Sequence, residues 1–187
     1  MAFRYEIRLS GSGGQGLILA GKILAEAAAI YDGKNATQSQ SYGPEARGGS
    51  SRSEVIISDA DIDYPKAVNI DLLLALTQEA YNKYWRDVKE NGIVLVDSGY
   101  VSAGSEGKFR VISLPITEIA EKETGKTLVA NIVALGLITE LTGIVSKEAM
   151  ESAILSRVPK GTEELNLKAF RAGINEAQKL KGKSGDI

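Results

Sequence analysis

A chain of 187 residues is long enough for one globular domain with a sizeable core, and 43% hydrophobic with 25% charged residues is close to the soluble average. A formal net charge of −2 gives no electrostatic reason to expect nucleic acid as a partner. Cysteine and histidine are both absent, which excludes disulfides, thiolate chemistry and cysteine-ligated iron–sulfur clusters on this chain and removes the commonest zinc ligand and neutral-pH general base, leaving only a carboxylate magnesium site open.

The opening run Phe3-Arg4-Tyr5-Glu6-Ile7-Arg8-Leu9 alternates with period two and predicts a half-buried strand. With two arginines and a glutamate it reads as neither signal peptide nor membrane anchor, so no membrane is expected and a cytoplasmic location is. The turn Gly11-Ser12-Gly13-Gly14-Gln15-Gly16 follows, and then a predicted helix from about Leu17 to Tyr31. That helix is apolar almost all round, with Lys22 and Glu26 as its only charges, so burial on more than one side is expected, with its own sheet and another chain as the candidate surfaces. Asp32-Gly33 ends the unit. Lys34 to Ser41 is extended but polar, poor material for a strand buried on both faces. Tyr42 to Gly49 forms a loop leading into a second alternating strand, Ser50 to Ser58, and the pair suggests a hairpin.

Short apolar runs typical of parallel strands come next: Ile70 to Leu76, Gly92 to Asp97 and Phe109 to Leu114. Thr77 is a predicted N-cap for a helix to about Trp85, and Pro115 precedes a short helix to about Thr124. Everything from Leu128 on reads as helical: Ala130 to Leu141, Lys147 to Arg157, and Glu163 to about Leu180, where Leu167, Phe170, Ile174 and Ala177 mark a docking face. The expected architecture is one three-layer α/β/α domain with a mostly parallel, Rossmann-like sheet and a helical C-terminal part.

Gly11, Gly13 and Gly16 fit G-x-G-x-x-G between a strand and a helix. The first glycine permits the turn, the second an anion's approach to the backbone, and the third close packing of helix on strand. The unpaired N–H groups of the helix start would meet a phosphate or carboxylate. A dinucleotide site also needs an acidic residue about 20 residues further on. That region is Gln38-Ser39-Gln40-Ser41, which argues against NAD or FAD. Anion binding and a purely structural turn both stay open. In the hairpin, Gly43-Pro44 and Gly48-Gly49 bracket Glu45 and Arg47. Arg47 could clamp a carboxylate or phosphate bidentately, or merely pair with Glu45 or Glu54 in solvent. Asp97 is expected to cap the turn after its strand, and Asn131 to act as an N-cap rather than to bond a neighbouring loop. Tyr81, Tyr84 and Trp85 read as ordinary packing.

Taken together, Gly11-Ser12-Gly13-Gly14-Gln15-Gly16 after an N-terminal strand and Gln40-Ser41-Tyr42-Gly43-Pro44-Glu45-Ala46-Arg47-Gly48-Gly49 resemble the gamma subunit of 2-oxoacid:ferredoxin (acceptor) oxidoreductases. Asp71 to Leu76, Gly92 to Asp97 and Asn131 to Gly136 fall where that family places them, so the likeness covers the chain, residues 1–187, as one gamma-type domain. The Pro-Glu-Ala-Arg run is most similar to the 2-oxoglutarate type, with pyruvate and 2-oxoisovalerate as the other substrates in view.

The resemblance implies a subunit inactive alone, in a complex that oxidatively decarboxylates a 2-oxoacid to an acyl-CoA. Alpha, beta and ferredoxin-like delta subunits would be its partners, with thiamine diphosphate, Mg2+ and [4Fe–4S] clusters on those chains and coenzyme A as co-substrate. No catalytic residue or metal ligand is expected here. Gly11, Gly13, Gly14, Gln15 and Gly16, with Tyr42, Gly43, Glu45, Arg47 and Gly48, are expected to line the cleft or the coenzyme A path. The isolated chain is expected to be able to form a homodimer. A stand-alone nucleotide-binding regulatory module built on the Gly11–Gly16 turn is the alternative, and a subunit with no ligand contact a further one.

Overall fold

The computed structural model describes residues 3–42 and 50–184. Six strands form one sheet in the order β2-β3-β1-β4-β5-β6. They are β1 (Arg4–Ser12), β2 (Asn35–Tyr42), β3 (Ser50–Ser58), β4 (Ile70–Ala75), β5 (Val88–Asp97) and β6 (Arg110–Leu114). The helices are α1 (Leu17–Glu26), α2 (Gln78–Tyr84), α3 (Ile116–Thr124), α4 (Ala130–Thr142), α5 (Lys147–Arg157) and α6 (Glu163–Ser184). β1, β4, β5 and β6 run parallel, whereas β3 is antiparallel to β1 and β2 antiparallel to β3. The polar excursion is therefore the hairpin its sequence suggests, placed at one side of a parallel sheet.

Alternation in the central strands sorts side chains between two cores. Leu72 and Leu74 of β4 face one with α1 and α3 to α6, while Leu73 and Ala75 face the other with α2. Burial on both faces is why these strands read as unbroken apolar runs. The helix buried all round is α4, not α1: every residue from Ala130 to Thr139 is buried. By contrast Lys22 is exposed, and α1 continues as a π-helix, Ala27–Tyr31, that leaves Ile30 and Tyr31 in solvent. α6 covers α4 where Gly136 and Gly173 meet backbone to backbone: a Cβ on Gly136 would overlap the Phe170 carbonyl oxygen and lie 3.0 Å from the Gly173 Cα.

Several boundaries differ from the sequence reading, and α6 runs on to Ser184 rather than ending near Leu180. β5 starts at Val88 rather than Gly92, and Asn91, with φ 64°, interrupts it near a register shift against β4. β1 runs on to Ser12, because β3 supplies partners as far as Gly11↔Ser51 and Ser12↔Ser50. The first glycine of the turn motif thus lies in a strand. Period-two alternation also suggests a solvent-facing stripe in Arg4, Glu6 and Arg8, yet Glu6 and Arg8 are only 3% and 4% exposed. Arg8 donates through Nε to Glu54 at 2.9 Å, pairs with Asp87, and lies 4.8 Å over the Tyr84 ring. Glu6 accepts from Arg4 at 2.8 Å and from the backbone N–H groups of Val68 at 2.6 Å and Asn69 at 2.8 Å. Tyr84 is thus more than apolar packing. It floors a buried ion cluster.

Candidate functional site at the strand ends

Ligands of open α/β sheets sit beyond the carboxyl ends of the parallel strands, where the chain departs to opposite sides of one strand. Here that point lies between β1 and β4: the chain leaving β1 proceeds to the β2–β3 side, and the chain leaving β4 to the β5–β6 side. A cavity of about 250 Å³ opens there. Gly14 and Gln15 line it from the glycine turn, Leu76 from the end of β4, Tyr100 from beyond β5, and Thr117 and Leu128 from the helical side.

The turn owes its shape to its own side chains. The Ser12 N–H donates to Gln15 Oε1 at 2.8 Å, and that oxygen occupies the space a Cβ on Gly11 would need. Gly16 is the left-handed residue (φ 70°) that starts α1, and a Cβ there would overlap the Asn131 carboxamide. Asn131 Nδ2 donates to the Gly16 carbonyl at 3.0 Å, while its Oδ1 accepts from the Ile132 N–H at 2.9 Å. Asn131 therefore bonds the neighbouring loop and clamps the starts of α1 and α4. The expected N-cap role is overturned, since Val129 precedes the helix. The outer glycines of the motif, Gly11 and Gly16, are thus explained by packing. Gly13 and Gly14 are exposed, and Gly14, with φ 86°, has open space where a side chain would go.

Asp97 performs the expected capping task and more. Its Oδ1 accepts from the Gly99 N–H at 3.1 Å, and Oδ2 accepts from the Thr117 N–H at 2.9 Å and hydroxyl at 2.5 Å, which anchors α3. With its carboxylate so occupied and only 1% exposed, Asp97 is a structural group and not a free base. Thr77 caps α2 as expected, accepting from Ala80 N–H at 3.2 Å. The described residues lining the cavity carry no charge, and Tyr100 is the only ionisable group among them. These described residues can position a ligand through amides, hydroxyls and apolar surface, and among them is no carboxylate, amine or thiol for proton transfer or attack. The raised Tyr5 phenol, pushed to about 12 by burial and then by the nearby Asp71 charge, belongs to the other end of β1.

Strand register brings both sequence motifs to this end of the sheet. Ser51 pairs with Gly11 on one side and with Tyr42 on the other. The hairpin therefore opens beside the glycine turn, a juxtaposition that spacing along the chain does not show. Gly43, Glu45, Arg47 and Gly48 lie outside the described residues, as does the side chain of Tyr42. Gln38 to Ser41 belong to β2, two strands from β1, and the strand beside β1 on that side is antiparallel. No carboxyl end of a parallel strand is available there for a ribose-binding acid, and the dinucleotide pattern is incomplete for that reason. Among the described residues no group of three or more acidic side chains is placed to hold a metal ion. A larger groove of about 490 Å³ runs along α6, lined by alternating acids and bases such as Glu164, Lys168, Arg171 and Lys179, and touches no strand end.

Residues 6–176 match the family described as pyruvate ferredoxin/flavodoxin oxidoreductase. The chain belongs to this family. It is 58% identical over 179 residues to the 2-oxoglutarate synthase subunit KorC of Methanocaldococcus jannaschii, with 95% of this chain and 96% of that one covered. A solved keto/oxoacid ferredoxin oxidoreductase gamma subunit from Geobacter sulfurreducens PCA is 58% identical and matches with a TM-score of 0.87, covering 95% and 98% of the two chains. A chain of the 2-oxoglutarate:ferredoxin oxidoreductase from Magnetococcus marinus, solved with 2-oxoglutarate, coenzyme A and succinyl-CoA bound, shares the fold. Its TM-score is 0.83 at 24% identity, and the match spans 94% of this chain but 31% of that longer one. The gamma-subunit resemblance read from the two glycine motifs is borne out. None of these similarities supports the stand-alone nucleotide module.

Proposed function

We propose that this chain is the gamma subunit of a 2-oxoglutarate:ferredoxin oxidoreductase, which oxidatively decarboxylates the 2-oxoacid to an acyl-CoA in a multi-subunit assembly. The observation that carries this reading is 58% identity across 95% of the chain to a 2-oxoglutarate synthase subunit. Residues 1–187 act as one gamma-type domain, working in the cytoplasm beside alpha, beta and ferredoxin-like delta chains. No helix among the described residues is long and apolar enough to cross a membrane.

The redox cofactors do not fit this chain. Thiolates for a [4Fe–4S] cluster are absent from this chain. In this reading thiamine diphosphate, Mg2+ and the clusters sit on the partner chains, as the family resemblance implies, and no step of the chemistry is assigned to residues here. What this chain contributes is a wall. Gly13, Gly14 and Gln15, held by Gly11, Gly16 and Asn131, form one part of it, and the Tyr42, Gly43, Glu45, Arg47 and Gly48 hairpin forms the other. They line the cleft or the coenzyme A path, with Arg47 supplying the cation that the described cavity lacks.

Reconstitution tests this. The isolated chain should show no turnover, whereas mixing it with the companion subunits should give 2-oxoglutarate- and coenzyme A-dependent reduction of ferredoxin. Arg47→Ala should lower turnover or assembly roughly ten- to a hundredfold, the worth of one charge-assisted contact. Wild-type kinetics and wild-type assembly of that variant would remove the hairpin from the proposal.

A further inference from the structure

We infer that two copies of this chain pair antiparallel through the exposed edge strand β2, about a two-fold axis. The two edges of the sheet are built differently. The β6 edge has five residues, starts with Arg110 and is followed at once by Pro115, so it is short, charged and cut off by a residue that cannot donate to a ladder. The β2 edge has eight residues, Asn35 to Tyr42, with no charge and no proline. It pairs with β3 in unbroken register from Asn35↔Ser58 to Tyr42↔Ser51, so no bulge bends it away. Asn35, Ser39, Gln40 and Ser41 are exposed. Proteins blunt free edges with charge, proline, bulges or brevity, and β2 uses none of these.

A second copy fits this edge. Antiparallel self-pairing places a strand opposite its own residues, so a charged strand would set like charges face to face, which is destabilising. β2 carries none, and in the register centred on Gln38 only Asn, Ala, Thr, Gln and Ser face one another. With Gln38 on the axis, Thr37 meets Ser39, Ala36 meets Gln40 and Asn35 meets Ser41, and the Thr–Ser pair is of the kind that hydrogen-bonds across strands. Lys34, the residue before β2, donates to the Ile144 carbonyl at 2.5 Å and so points away from the edge. At the start of β2 the π-helix holds Ile30 and Tyr31, 66% and 45% exposed, which adds apolar surface to what a ladder alone would bury. A two-fold contact uses one patch on both partners and closes as a dimer, ending the free edge. The inference stands apart from the functional proposal, since it concerns the chain alone.

Light scattering on the purified full-length chain tests it. The wild type should weigh twice the 19.9 kDa of one chain. Ser39→Lys and Ser39→Glu, each at an exposed position, should halve that mass while keeping the wild-type circular dichroism spectrum and melting temperature of a folded chain. Mixing the two variants should restore the dimer, because lysine and glutamate then stand diagonally across the axis, about 7–8 Å apart and within reach of each other's long side chains. Ser113→Lys on the β6 edge should leave the dimer intact. A wild type that stays monomeric at micromolar concentration, a dimer that survives Ser39→Lys, or a dimer lost only with Ser113→Lys would each overturn the inference.

Discussion

Gly136→Ala is expected to destabilise the fold by about 3 kcal/mol, at the upper end of what overpacking costs. For a chain of this length that is a fall in melting temperature of roughly 6–12 °C. The reason is geometric. The added Cβ would overlap the Phe170 carbonyl oxygen and meet Gly173 Cα and Ile174 N at 3.0 Å. These are backbone atoms of α6, so no side chain can rotate to make room. α6 must lift off α4, the central helix of the larger core. Gly173 has the reciprocal constraint, with the Val133 carbonyl oxygen in the way of its Cβ and the Gly136 Cα at 3.0 Å. Gly14→Ala is the matched control: nothing lies within 4 Å of its Cβ, and its φ of 86° is the only obstacle. It should cost about 1–2 kcal/mol. Differential scanning calorimetry of the two variants compares them, and equal losses would show that α4 and α6 have slack at their crossing.

Arg8→Met is expected to cost about 3–5 kcal/mol, because breaking a buried pair leaves its partner charged and poorly solvated. The side chains of Arg8 and Glu54 are 5% and 11% exposed, and after the substitution Glu54 keeps only Arg52, at 3.5 Å. Asp87, with a side chain 49% exposed, turns to water at little cost. Removing both charges as Arg8→Met with Glu54→Leu should recover most of the loss, since apolar residues can fill the space between β1, β3 and Tyr84. Urea unfolding of both singles and the double completes a cycle. The exposed pair Arg171–Glu151 sets the reference, being worth about 0.2–1 kcal/mol. An Arg8→Met loss as small as that would show the cluster to be solvated.

How much of this was legible in the sequence follows from the range of each interaction. Strands and helices were readable because their signals are local: the apolar run at Ile70 to Leu76, Thr77 as a cap, and Asp97 at a strand end all behave as their neighbours dictate. The hairpin was readable because Lys34 to Ser41 is too polar for a central strand. What escaped were partners far apart in the chain. Asn131 looked like a cap because its bond to Gly16 spans 115 residues. Glu6 and Arg8 looked like a wet face because Asp87, Glu54 and the Val68 and Asn69 amides that satisfy them are remote in sequence. The glycine turn was recognised, but the reasons for Gly11 and Gly16 are side chains, Gln15 and Asn131, rather than a bound phosphate. The approach of the two glycine-rich motifs depends on β3 lying between β1 and β2, which only the sheet order reveals.

Affinity purification of the tagged chain from its own cells is the most direct measurement of whether it works as one subunit among several. Co-elution with larger chains that contain thiamine diphosphate and iron–sulfur absorbance, and loss of 2-oxoglutarate oxidation when this chain is stripped away, is the expected result. A chain that elutes alone and turns over a substrate unaided would contradict it.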